Sequence, residues 1–128
     1  MHIGALTLVV RDYDEARDWY TRVLGFELLE DTPLGGGKRW LLVAPPGSRE
    51  TALLLAKAAT PEQAAAIGHQ AGGRVLLFLK TRDFDGDHAA MLSRGVRFLE
   101  EPRREPYGSV AVFKDLYGNR WDLLEDRA

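Results

Sequence analysis

Apolar and polar positions along this chain switch between a period of two and a period of about 3.6, and the switches mark its elements. Residues 3–10 form an apolar, β-branched run of strand length. Residues 11–14 interrupt it, and Asp12 followed three places later by Glu15 has the spacing of an N-terminal helix cap. Ala16, Trp19, Tyr20, Val23 and Leu24 then recur on one helical face, and Gly25 stands where a left-handed terminating residue fits. Strands are expected at 26–30, 40–43 and 51–55, separated by a loop at 32–38 with three successive glycines and by the turn Pro45-Pro46-Gly47. Thr60-Pro61-Glu62-Gln63 opens a short alanine-rich connector helix, with threonine as cap, proline at the first position and glutamine reaching back.

The order then repeats. A strand at 74–80 leads to a helix carrying Phe84, His88, Met91 and Leu92, ended by Gly95. A strand at 96–100, a polar loop at 102–108 and a hairpin follow, the hairpin turning at Asp115, Gly118 and Asn119 between the runs 110–113 and Trp121-Leu124. Arg11-Asp12-Tyr13-Asp14 matches Arg82-Asp83-Phe84-Asp85 at an offset of 71, as Gly47 matches Gly118, whereas Gly25 and Gly95 differ by 70. The reading is an α+β fold of two tandem βαβββ modules, at about 1–58 and 72–126 with a connector at about 60–70, forming a curved mixed sheet around a concave pocket within one domain.

Composition narrows the functions. A 128-residue chain with 45% hydrophobic residues is long enough to bury a core. A net charge of -2 with both signs interspersed gives no basic stripe for nucleic acid, and no apolar run spans a bilayer, so neither is expected as a partner. The absence of cysteine removes disulfides, thiolate ligands and a cysteine nucleophile. Without a leader-like segment at the start, a cytoplasmic location is expected. The glycines at 35–37 lack the lysine and hydroxyl that complete a phosphate loop.

The segments VVRDYDEARDWYTRVLGF and FKDLYGNRWDLLE, set in paired βαβββ modules, resemble the vicinal oxygen chelate superfamily, the glyoxalase/bleomycin-resistance/extradiol-dioxygenase fold. The resemblance implies eight strands around a pocket, with His or Glu from the first and last strands of each module holding one divalent ion in metal-using members. The matching positions here are Ala5, Thr51, Leu76 and Asp122. One carboxylate and one hydroxyl fall short of the three or more ligands such an ion needs. His2, His69 and His88 read as core or surface histidines, so no metal residue and no cofactor is assigned, with a divalent metal left open.

Counting in twos from those positions puts Ala5, Thr7 and Val9, Thr51, Leu53 and Leu55, Leu76, Phe78 and Lys80, and Arg120, Asp122 and Leu124 on the pocket side. The opposite set, including Leu6, Leu8, Val10, Leu77, Leu79, Trp121 and Leu123, is apolar and should cover the helices. Trp40 and Tyr107, with Lys38, Arg39, Arg103 and Arg104, sit near two central loops. They either stack on and capture a ligand or, in the plainer reading, Trp40 packs in the core and the cations are solvated. The ligand residues expected are therefore Thr7, Trp40, Thr51, Leu76, Phe78, Lys80, Tyr107, Arg120 and Asp122. Asp122 is also the candidate catalytic group, a general base if burial raises its pKa, or else a carboxylate bonded to a turn amide. The function expected is metal-independent binding of a small hydrophobic or aromatic ligand in the pocket between modules, with a homodimer implied by the resemblance. A metal-dependent lyase or dioxygenase with an atypical ligand set is the alternative, and a protein-binding module a third.

Overall fold

The computed structural model describes residues 1–127. They form two compact units, one of residues 1–67 and a second beginning at Gly68. The elements of the first are β1 (Ala5–Val10), α1 (Tyr13–Asp18), β2 (Glu27–Gly35), β3 (Lys38–Ala44), β4 (Ala52–Lys57) and α2 (Pro61–Ala66). Its sheet runs β1-β4-β3-β2, with β1 parallel to β4 and the other pairs antiparallel. The second unit repeats the plan with β5 (Val75–Thr81), α3 (Phe84–Ser93), β6 (Arg97–Phe98), β7 (Arg103–Glu105), β8 (Gly108–Lys114) and β9 (Arg120–Glu125). Its sheet runs β5-β9-β8-β6, and β7 also pairs with β8. The α+β architecture read from the sequence is the one observed, as two mixed sheets.

The repeated Arg-Asp-aromatic-Asp motif starts each helix. The carboxylates of Asp12 and Asp83 accept the N–H groups of Glu15 and Gly86, satisfying amides that a helix start leaves open. The first helix does not stay α-helical: Trp19–Val23 is a π-helical turn, and Gly25 closes it at φ 88°. That wider turn keeps Tyr20 and Leu24 buried, with Tyr20 against Trp19 and Phe26 at 5.0 and 5.9 Å. In the second unit the expected strand at 96–100 is only two residues long. Pro102, which has no N–H to give a ladder, separates it from β7, a strand where a loop was expected.

Each sheet buries one face. In the first unit Leu8, Val10, Leu41, Val43, Leu53 and Leu55 are buried on the side that α1 covers. In the second, Ala111, Phe113, Trp121 and Leu123 are buried with Phe84 and Met91 of α3. His88 joins this layer, its ring centroid 4.4 Å from Phe98 and 5.9 Å from Phe84.

One expectation on facing is overturned. Pairing of β1 with β4 sets Thr7 beside Leu54 and Leu8 beside Leu55, so Leu53 and Leu55 share the helix-covered side and do not line an open face. Strand β4 begins five residues after Gly47 (47 to 52), whereas β9 begins two after Gly118 (118 to 120). That three-residue difference is odd, and an odd slip turns every side chain over. The first-unit counterpart of Asp122, which pairs with Phe78, is therefore Leu54, which pairs with Thr7, rather than Thr51.

Arg39 is likewise not a free cation. Its guanidinium binds Asp31 at 2.7 and 3.0 Å and Asp14 at 2.8 Å, and lies 5.1 Å over the Tyr13 ring. Arg17 adds a third partner to the cluster at 3.2 Å from Asp31. The Arg39 hydrogen bonds hold the Asp31 carboxyl below its usual range.

Candidate ligand site

The uncovered face of the second sheet carries the residues with chemical potential. Register places Phe78, Asp122 and Val112 side by side on β5, β9 and β8. The next row along the strands is Lys80, Leu124, Val110 and Arg103. Asp122 thus lies among apolar neighbours, with Phe78 61% exposed beside it. Its Oδ1 is buried and has no hydrogen-bond partner among the described residues. A carboxylate oxygen left this way carries an unmet desolvation cost, which a donor on a ligand would relieve.

Charge around it is partly committed. Arg103 Nε donates to both Glu100 oxygens at 3.0 and 3.2 Å, and its Nη1 donates to Glu105 at 3.2 Å. Glu100 also accepts the N–H of Val112 at 3.3 Å. Burial pushes the Asp122 carboxyl above the ordinary aspartate value, the Arg103 charge opposes this, and the Glu100 charge adds to it. A carboxyl whose pKa is raised on folding contributes stability below its unfolded value, and loses that contribution as pH climbs through the folded one. Asp122→Asn is therefore expected to leave the melting temperature unchanged near pH 3 and to raise it at pH 7. Equal effects at both pH values would mean the carboxylate is not desolvated.

The other sequence-expected residues fall in different places. Leu76 and Arg120 lie at one end of the same face as Phe78, Lys80 and Asp122. Tyr107, in the β7–β8 turn, is exposed. In the first unit, Thr7 lines the open face in a row with Leu54, Leu42 and Glu30, and Trp40 follows beside Thr32. Trp40 is 38% exposed there, on the strand expected for it, so its reading as a core residue is overturned. Thr51 precedes β4 and donates its hydroxyl to the Ile3 carbonyl at 2.7 Å. Arg104 is tied to Asp85 at 3.1 Å and to Ser109 at 2.6 Å. Val110, Val112, Leu42 and Glu100 were not anticipated. Alternation in 108–114, counted from Lys114, would have found the two valines; Glu100 carried no signal in a stretch read as strand end and loop.

The donor set does not suit a divalent ion. With Leu54 in place of Thr51, the four positions that the resemblance marks are Ala5, Leu54, Leu76 and Asp122, three hydrocarbons and one carboxylate. No group of three or more His, Cys, Asp or Glu side chains among the described residues is placed to hold a metal.

The β8–β9 turn sets the start of the strand that bears Asp122, and Gly68 packs against it. At φ 76°, a Cβ on Gly68 would overlap the carbonyl oxygen of Tyr117. Gly68→Ala is expected to cost about 2 kcal/mol in chemical denaturation, from left-handed strain and a backbone clash. A neutral effect would place the 68–74 loop elsewhere.

Comparison with known proteins agrees with this architecture. Residues 2–123 match the family model of the Glyoxalase/Bleomycin resistance protein/Dioxygenase superfamily, and the chain belongs to that family. A protein of Shewanella frigidimarina (strain NCIMB 400) is 54% identical over 121 residues, covering 94% of this chain and 90% of that one. The crystal structure of UcmS2 is similar at 31% identity and a TM-score of 0.83, covering 97% of both chains. That of TnmS3, described as an antibiotic binding protein from Streptomyces sp. CB03234, is similar at 35% identity and a TM-score of 0.77, covering 98% of this chain and 95% of that one. No helix among the described residues is long and apolar enough to cross a membrane.

Proposed function

We propose that this protein binds a small hydrophobic or aromatic molecule on the open face that carries Asp122, without a metal and without chemistry on the ligand. The observation that carries the reading is the buried, unpartnered Oδ1 of Asp122 between Phe78 and Val112. Such a face offers apolar area for affinity and one acceptor for orientation, the usual division in small-molecule sites. The ligand then has a planar or aliphatic body and one hydrogen-bond donor or cation. Similarity to an antibiotic-binding protein supports binding, and the superfamily, which holds bleomycin-resistance proteins beside glyoxalases and dioxygenases, accommodates it. A cytoplasmic homodimer belongs to the same reading. Strand β2, a nine-residue sheet edge with Leu28, Leu29 and Leu34 exposed, is a surface that a second copy would cover.

Thermal shift against a panel of aromatic amines and their neutral isosteres tests this. The amines are expected to raise the melting temperature, with about 2.7 kcal/mol of stabilisation at a hundredfold excess over Kd. Asp122→Asn is expected to weaken them by about tenfold, the loss of one charge-assisted hydrogen bond. A stoichiometric metal ion carried through chelator-free purification, and lost in Asp122→Ala, would favour the lyase or dioxygenase reading instead.

A further inference from the structure

The same sheet carries a feature that the apolar site does not use. Arg97, Lys114 and Arg120 are direct cross-strand neighbours on β6, β8 and β9, all on the uncovered face. Like charges set opposite one another in a sheet repel and are avoided unless something compensates them. No ion pair involves any of the three among the described residues, in contrast to Arg103 and Arg104 nearby. Lys114 and Arg120 line a cleft of about 190 Å3 with Arg74, His69, Gly118 and Asn119, and no carboxylate side chain lines it. The nearest acids are otherwise engaged. Asp115 spends its carboxylate on the turn, and Asp122, two residues along β9 from Arg120, lies about 7 Å away along the strand.

We propose that this cleft binds a small oxyanion group, a phosphate or a carboxylate, held between Arg74, Lys114 and Arg120. A concave wall lined by one sign of charge concentrates the field, and guanidinium groups present paired donors that match oxyanion geometry. Gly68 makes the cleft possible by letting the 68–74 loop close onto the 115–119 turn, so the cations of loop and strands face one space. The assignment goes beyond the apolar reading and does not depend on it, because simple anions suffice as probes.

The test is a titration of the whole 15N-labelled chain with sodium phosphate and, separately, sodium acetate, using sodium chloride at matched ionic strength as reference. Backbone amides of Gly73, Gly118 and Asn119 are the readout. Saturable shifts with either anion, absent with chloride, are expected, and the anion that saturates at lower concentration identifies the group. The Lys114→Gln/Arg120→Gln double variant, with unchanged amide shifts at Ala111 and Phe113 reporting an intact sheet, is expected to weaken the interaction at least about tenfold. Shifts that merely follow ionic strength, or an affinity that the double variant leaves unchanged, overturn the proposal. The single variant Arg74→Gln gives the same discrimination from the loop side, should the double variant fail to fold.

Discussion

Phe113→Ala is expected to destabilise the protein by about 4 kcal/mol, read as a lower urea midpoint at an unchanged slope. Phe113 is fully buried on β8, on the helix-covered side of the second sheet. Its ring stacks on Trp121 with centroids 5.6 Å apart and rings inclined by 24°, and it meets Phe98 at 5.6 Å. Phe98 in turn touches His88 of α3, so this ring joins three strands to the helix. Removing it opens a cavity that rigid neighbours cannot fill, and the transfer and cavity costs add. Phe113→Leu keeps most of the volume and is expected to cost about 1.5 kcal/mol or less. A cost for the alanine variant no greater than for the leucine one would show that β8 does not face α3.

Asp115→Ala is expected to cost about 3 kcal/mol. Its carboxylate, 5% exposed, accepts the N–H groups of Tyr117 and Asn119 at 3.0 and 2.9 Å and the Asn119 side-chain amide at 2.8 Å. The backbone of Asp115 also closes the turn, donating to the Asn119 carbonyl at 2.9 Å and accepting from Gly118 at 3.1 Å. Alanine leaves buried donors without partners, and an unmet buried donor costs more than the bond itself contributed. Asp115→Asn keeps one acceptor oxygen and is expected to cost about half as much. Because this turn sets the start of β9, the alanine variant should also weaken ligand binding at Asp122, whereas Phe113→Leu should not.

How much of this was legible in the sequence follows from what each residue signals. The Arg-Asp-aromatic-Asp pairs are caps, and caps act through neighbours three residues away, so both helix starts could be read directly. The turn residues Asp115, Gly118 and Asn119 likewise work locally, and with Asp115 they give the hairpin without tertiary information. The face of β9 was readable because Trp121 and Leu123 alternate with Arg120 and Asp122. The face of β4 was not, because its apolar run has no alternation, and Gly47 aligned by repeat arithmetic while the following loop is three residues longer. The π-turn at Trp19 and the β7 pairing depend on packing and on Pro102 rather than on any periodic signal. The like-charge row escaped for another reason: Arg97, Lys114 and Arg120 are 17 and 6 residues apart, and only sheet register brings them side by side.

Position by position, the chain keeps the family's scaffold while Asp122 sits in a row with Phe78 and Val112, and it is the acid among the described residues with a buried oxygen that lacks a partner. The most direct measurement is methyl-detected NMR of Val112 and Leu124, both half-buried beside Asp122, during titration with an aromatic amine that raises the melting temperature. Both methyl sets should shift and saturate together in the wild-type chain, and about tenfold more ligand should be needed in Asp122→Asn. Shifts confined to the helix-covered residues Leu123 and Met91, or saturation unaffected by the substitution, would contradict it.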